Sequence, residues 1–266
     1  MMLSGVEDRL SLLIDNAREL VDCGFYSDRA AGLPDAAPGR RTSLIGTIRD
    51  HPDYPIIAEV KLASPTAGRL GAHMAEELVE DYRQGGAAAM SVLTEPRYFM
   101  GSLRYMVVAI RTGMPVMMKD FIIDRRQLET AARLGASAVL LIEGVFDRGL
   151  AQGRDGLIER AHELGLEVVL ESSTIEELSK AIDSGTDVLA YNQRDLRTFR
   201  AGPDEVRSAL RLLESDGRPT MVMSMMDSRE DVERMRDLGA SCVLVGSALS
   251  RSPCPKDKLM SMRMPR

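Results

Sequence analysis

The chain has 266 residues, 44% of them hydrophobic and 28% charged, and its 34 Lys and Arg against 40 Asp and Glu give a formal net charge of −6. That length suits one large α/β domain, and the composition excludes a disordered chain or a disulfide-stapled miniprotein. The acidic balance argues against sequence-independent binding of nucleic acid or an anionic membrane, while a local basic cluster would still admit a small anionic substrate.

The N-terminal stretch MMLSGVEDRLSLLIDNAREL sets acidic residues among its apolar ones, so neither a signal peptide nor a membrane span is expected. Leu10–Cys23 reads as a helix, Ala30–Arg41 as an Ala-, Gly- and Pro-rich loop, and Ser43–Arg49 as a short helix. Residues 1–54 are therefore expected to form a helical extension packed on a domain of residues 55–266. The cysteines Cys23, Cys242 and Cys254 form no close pair, which argues against a disulfide framework or a Cys-rich zinc site and suits a reducing cytoplasm. Nothing in the pattern calls for a second subunit, so a monomer is expected.

From Ile56 onward the chain alternates short apolar runs with amphipathic stretches. Ile56–Lys61, Pro115–Lys119, Glu167–Glu171 and Thr220–Ser224 read as strands buried on both faces of a parallel sheet. Ala75–Gln84, Arg125–Leu134, Thr174–Ser184 and Ser228–Leu238 carry the helical period. Two segments echo each other: LGASAVLLI from Leu134 and LGASCVLVG from Leu238, with weaker copies GGAAAMSVL from Gly85 and SGTDVLAYN from Ser184. The aligned glycines Gly86, Gly135, Gly185 and Gly239 recur about every fifty residues, which is two βα units per repeat. Four such repeats give eight βα units and a (β/α)8 barrel, with Gly135, Gly185 and Gly239 stopping helices. A doubly wound open sheet is the rival and leaves the quarter-repeat unexplained.

Active sites of such barrels lie at the C-terminal strand ends. Glu59 and Lys61 on the first strand stand two residues apart and so share a face, provided that odd-numbered positions point inward. The third strand ends in Lys119, the fifth in Glu171, the sixth in Asn192 and the seventh in Ser224. Two carboxylates and two ammoniums at one mouth suit acid/base chemistry, whereas any one of them alone reads as an ordinary ion pair. Gly246-Ser247 after the eighth strand, with Arg194 and Lys61 as countercharge, suits a phosphate. His51, His73 and His162 lack metal-ligand spacing, and no cofactor motif is visible.

AEVKLASPTAG (Ala58–Gly68) resembles the first-strand motif of the indole-3-glycerol phosphate synthases. GAAAMSVLTEPRYFMGS (Gly86–Ser102), PVMMKDFII (Pro115–Ile123), LGASAVLLI and YNQRDL (Tyr191–Leu196) resemble that family's later motifs in order. The resemblance implies cofactor-free conversion of 1-(2-carboxyphenylamino)-1-deoxyribulose 5-phosphate to indole-3-glycerol phosphate, with loss of CO2 and water. It implies Lys119 as general acid on the substrate ketone and Glu171 in proton transfer during dehydration, with Glu59 and Lys61 completing the catalytic cluster. Asn192 and Ser224 would hold the substrate, while Ser64, Arg194, Gly246 and Ser247 would face its phosphate. Pro65, Phe99, Phe121, Leu140 and Leu196 would enclose the anthranilate ring.

The seventh-strand end departs from the family. Met223-Ser224-Met225-Met226 stands where ESGI is usual, so Met223 replaces a carboxylate and Met225 a glycine. Leu62 stands where a basic residue is common. Glycine permits close approach of backbone to phosphate and positive φ, and Met225 tolerates neither well. A barrel that binds sugar phosphate with reduced or lost turnover is thus the alternative reading. A phosphoribosylanthranilate isomerase fits less well, since its chemistry calls for a Cys/Asp pair rather than this Lys/Glu set.

Overall fold

A computed structural model describes residues 9–28, 30–36, 41–194 and 205–266. Eight parallel strands close into a barrel: β1 Ile56–Val60, β2 Ala89–Leu93, β3 Val116–Lys119, β4 Ala138–Ile142, β5 Glu167–Ser172, β6 Val188–Asn192, β7 Thr220–Met223 and β8 Cys242–Val245. Each strand pairs with its sequence neighbours, and β1 meets β8 through Ile56 opposite Val243 and Ile57 opposite Leu244. The fold is a (β/α)8 barrel, with helices packed outside over a continuous apolar layer. A short hairpin, Ala63–Ser64 against Gly68–Arg69, follows β1.

The helix ends show why these segments stop where they do. Asp124, Ser102, Thr174 and Ser228 cap N-termini by accepting backbone N–H groups. Gly86 and Gly135 end helices in the left-handed region, at φ 79° and 98°, and Gly239 follows Leu238 at φ 94°. Gly185 does not act as a stop: that helix, Ile175–Ile182, ends two residues earlier at Asp183. There Ser184 donates both its N–H and its hydroxyl to the Ala181 carbonyl, so no left-handed glycine is needed.

Inside the barrel, side chains stack in layers of four drawn from alternate strands. Ile57, Met117, Val169 and Met221 of the odd strands form one apolar layer. One pleat further along the same strands come Glu59, Lys119, Glu171 and Met223. Ile57 and Glu59 therefore do point inward.

The N-terminal segment touches both ends of this interior. Helix α1, Arg9–Asp22, buries Leu10, Leu13, Ile14 and Ala17 in the same apolar cluster as Phe121 and Ile142 at the C-terminal strand ends. Helix α2, Leu44–Asp50, buries Leu44 and Ile48 with Ala88, Ala138 and Cys242 at the opposite ends. Glu167 at the start of β5 accepts the first free N–H groups of α2, from Leu44 at 2.7 Å and Ile45 at 3.1 Å. Between α1 and α2, the segment expected as a loop contains a 3-10 turn at Ala30–Gly32, and residues 37–40 lie outside the described set.

Candidate active site

At the C-terminal mouth, Lys119 sits among three of its layer partners. Its Nζ lies 3.0 Å from Glu59 Oε2, 3.9 Å from Glu171 Oε2 and 3.8 Å from Met223 Sδ. Lys61, just past β1, holds the other Glu59 oxygen at 2.6 Å. The four charges singled out in the sequence thus form one connected cluster. Glu171 Oε1 accepts from Asn192 Nδ2 at 2.8 Å, and Asn192 Oδ1 in turn accepts from Ser224 Oγ at 2.7 Å and from the Arg194 N–H at 3.0 Å. Glu171 Oε2 is buried and accepts no hydrogen bond among the described residues.

Burial alone would push the Glu59 carboxyl up, but the Lys119 and Lys61 ammoniums overcome it and hold the group down at about 2. Burial likewise favours neutral Lys119, and here Glu59 and Glu171 prevail, so its pKa lies above the ordinary lysine value. Glu59 is therefore a fixed anion, and Lys119 stays a proton-bearing donor at neutral pH.

Two compartments meet at this cluster. One, about 80 Å³, is apolar and lined by Pro65, Phe99, Phe121 and Leu140, with the Phe99 and Phe121 ring centroids 5.9 Å apart. The other, about 520 Å³, is lined by Met225, Gly246, Ser247 and two further arginines, Arg234 and Arg251. Glu59, Lys61, Lys119, Arg194 and Ser224 border both. Gly246 packs directly on Glu59, so that a Cβ there would lie 2.3 Å from Glu59 Oε1 and displace the carboxylate that both lysines hold. Both Ser224 and Met225 take left-handed backbone, at φ 69° and 57°, so the chain adopts the glycine-like geometry with a Met.

Ser64 sits differently from expectation. It lines the apolar compartment, not the one carrying Gly246. The reason is local: Ser64 pairs with Gly68 in the hairpin, and its Oγ accepts the Ala67 N–H at 3.2 Å, which turns it beside Pro65. Leu196 lies outside the described residues.

Several lining residues carry no signal in the reading of the sequence above. Leu10 and Leu13 of α1 border the apolar compartment, as does Asp120, directly after Lys119. Asp120 could have been noticed as a charge next to a strand-end lysine within an apolar run. The α1 leucines could not, since amphipathic period says that a face is buried and not where.

A still larger cavity, about 820 Å³, lies at the other end of the barrel beside Arg41, Arg133 and Gly135. Two of its arginines hold carbonyls: Arg41 those of Leu164 and Ala132, and Arg133 those of Leu33 and Ala30. They staple loops together, so the C-terminal mouth is the candidate site.

A model of the indole-3-glycerol phosphate synthase family matches residues 34–262. The indole-3-glycerol phosphate synthase of Carboxydothermus hydrogenoformans is 37% identical over 202 residues, covering 75% of each chain. That of Burkholderia lata is 37% identical over 209 residues, covering 78% of each. Among solved structures, an N-acetylmannosamine-6-phosphate 2-epimerase from Clostridium perfringens superposes with a TM-score of 0.63 at 14% identity, covering 81% of this chain and 94% of that one. A thiamine phosphate pyrophosphorylase from Pyrococcus furiosus gives 0.59 at 16%, covering 79% and 93%. These two neighbours support the fold alone. None of these similarities favours a barrel that has lost turnover. By motif, by site geometry and by similarity over most of its length, the chain belongs to the indole-3-glycerol phosphate synthases, the carboxy-lyases that form the indole ring in tryptophan biosynthesis.

Proposed function

We propose that the mouth closes the indole ring with Lys119 as general acid and Glu171 as proton carrier. The carboxyphenylamino ring enters the apolar compartment between Phe99 and Phe121, with Pro65 and Leu140 around it. Lys119 gives its proton to the ketone oxygen as the ring carbon bearing the carboxylate bonds to the ketone carbon. CO2 then leaves, and its bonding electrons return to the ring system. Lys119, reprotonated from solvent, gives a second proton to the new hydroxyl, which departs as water while Glu171 removes the proton from the carbon beside nitrogen. Glu59 holds Lys119 in place and balances its charge, and Lys61 fixes Glu59 through its other oxygen.

The single observation that supports these roles is the pair of distances at Lys119: a raised ammonium 3.0 Å from a fixed carboxylate and 3.9 Å from a Glu171 oxygen that accepts no hydrogen bond among the described residues. Asn192 and Ser224 bind substrate hydroxyls. Arg194, Gly246, Ser247 and the Met225 N–H take the phosphate, and Lys61 borders both compartments, within reach of either anionic group.

Residues 55–266 make the catalytic barrel in this reading, and residues 1–54 are an extension whose helices α1 and α2 cover its ends. The chain acts as a monomer in this reading. The free cysteines Cys23, Cys242 and Cys254 fit a cytoplasmic setting, and no described helix is long and apolar enough to cross a membrane.

The test is indole fluorescence after mixing the purified chain with the aminodeoxyribulose phosphate. A rise in the parent and its loss in Lys119→Ala supports the assignment. Turnover by Lys119→Ala at the parent's rate overturns the acid role. A silent parent beside an active Met223→Glu/Met225→Gly variant would mean a site disabled at its phosphate end.

A further inference from the structure

Asp120 is a carboxylate only 2% exposed, and its described hydrogen-bond donors are all uncharged. The Tyr26 hydroxyl donates to Oδ2 at 2.8 Å, the Thr94 hydroxyl donates to the same oxygen, and the Phe121 N–H donates to Oδ1 at 2.8 Å. A second buried carboxylate, Glu95, lies close enough to oppose its ionisation. Burying an acid without a cation is costly, and an amide of the same shape would avoid that cost.

The network surrounds the backbone on either side of the Lys119–Asp120 bond. The Thr94 N–H donates to the Lys119 carbonyl at 3.1 Å, and the Thr94 hydroxyl holds the next side chain. Tyr26 is itself held from both sides. Its carbonyl accepts from the Thr130 hydroxyl, and its ring stands edge-on to Phe25 with centroids 4.9 Å apart. A parallel tether runs from Asn16 of α1 to Glu95 at 2.8 Å, and Glu95 gathers the N–H groups of Arg97, Tyr98 and Phe99. The N-terminal segment thus reaches, through buried side chains, the loop that carries Phe99 and the strand end that carries Lys119–Phe121.

We propose that Asp120, clamped by the Tyr26 hydroxyl, is a positioning residue for Lys119, so that the N-terminal segment sets the placement of the acid. It acts through the shared peptide bond and touches no reacting atom. Lys119 works between partners at 3.0 and 3.9 Å, and a displacement of about 1 Å at such a group is enough to cost on the order of a hundredfold in rate. The inference rests on the reading of Lys119 as acid.

The experiment compares kcat, KM and Tm of the full chain with Tyr26→Phe, Asp120→Asn, Lys119→Ala and Tyr54→Phe. Tyr54 is the control, a buried tyrosine whose hydroxyl donates to the Ala240 carbonyl at 2.9 Å at the far end of the barrel. Tyr26→Phe is expected to lower kcat about tenfold with KM within about twofold, since binding groups stay in place. Asp120→Asn is expected to lower kcat while Tm holds or rises. Tyr54→Phe should lose as much Tm as Tyr26→Phe and keep the parent's kcat. The double variant Tyr26→Phe/Asp120→Asn should be no slower than Asp120→Asn alone, because both remove one link.

A Tyr26→Phe kcat within twofold of the parent, or an equal kcat loss in Tyr54→Phe, overturns the inference. Parent-like turnover by Lys119→Ala overturns the reading beneath it. An inactive Lys119→Ala beside an unaffected Tyr26→Phe overturns the inference alone.

Discussion

The ammonium of Lys119 rests 3.8 Å from the thioether of Met223, at the one position of its layer of four that carries no charge. A carboxylate introduced there would stabilise the protonated lysine, since an opposite charge within about 4–6 Å favours the ionised form. Met223→Glu should therefore move the alkaline limb of kcat/KM upward by about one pH unit. A pH profile of parent and variant checks this, and an unmoved limb would mean that it reports a group other than Lys119.

Met225 holds φ 57°, a region in which a side chain costs roughly 1–2 kcal/mol. Met225→Gly should relieve about 1 kcal/mol of strain and lower KM for the phosphorylated substrate, whereas Met225→Ala should do neither. Urea midpoints and steady-state kinetics of the two variants separate backbone relief from loss of the thioether.

Glu59 is held at about 2, below its ordinary 4.5. With the folded value below the unfolded one, the stabilisation is full above pH 4.5 and is lost as pH falls toward 2. The gap corresponds to on the order of 3 kcal/mol. Denaturation at stepped pH should show the parent's advantage over Glu59→Gln shrinking by that much across the window, since Asp124, Asp216 and the other lowered carboxylates titrate in both chains and cancel in the difference.

Asp120 behaves with the opposite sign. Burial raises its carboxyl to about 6 from 3.8, against the pull of the Thr94 and Tyr26 hydroxyls. A raised value gives a contribution that is full below pH 3.8 and lost as pH climbs through 6. Asp120→Asn should consequently be more stable than the parent at pH 7 by on the order of 3 kcal/mol, and the gain should vanish near pH 4. Equal stability at both pH values would remove the cost assigned to this acid.

The barrel was legible because its strands are buried on both faces and therefore read as apolar runs, and because Gly86, Gly135 and Gly239 recur at helix ends. Gly185 shared the spacing but not the job, which Ser184 performs through side-chain chemistry that no spacing encodes. The charged cluster was legible for a related reason: Glu59, Lys119 and Glu171 are polar residues at the C-terminal ends of runs whose preceding inward positions, Ile57, Met117 and Val169, are apolar. Pairings across the chain were not. Asn16 meets Glu95, and Tyr26 meets Asp120, through a helix and a turn whose docking depends on the finished barrel. The placement of Ser64 escaped as well, since a two-residue hairpin leaves almost no periodic trace.

Gly246 abuts Glu59 so closely that a Cβ would fall 2.3 Å from its carboxylate, and the two residues stand at opposite ends of the strand sequence, after β8 and within β1. The first strand's anion is walled in only when the last strand arrives. A chain still emerging from synthesis, or one refolding from denaturant, could gain nearly all its helix and sheet signal with this carboxylate still open to water. Turnover would then be the last property to appear, and its lag behind the circular dichroism signal would time the seam's closure.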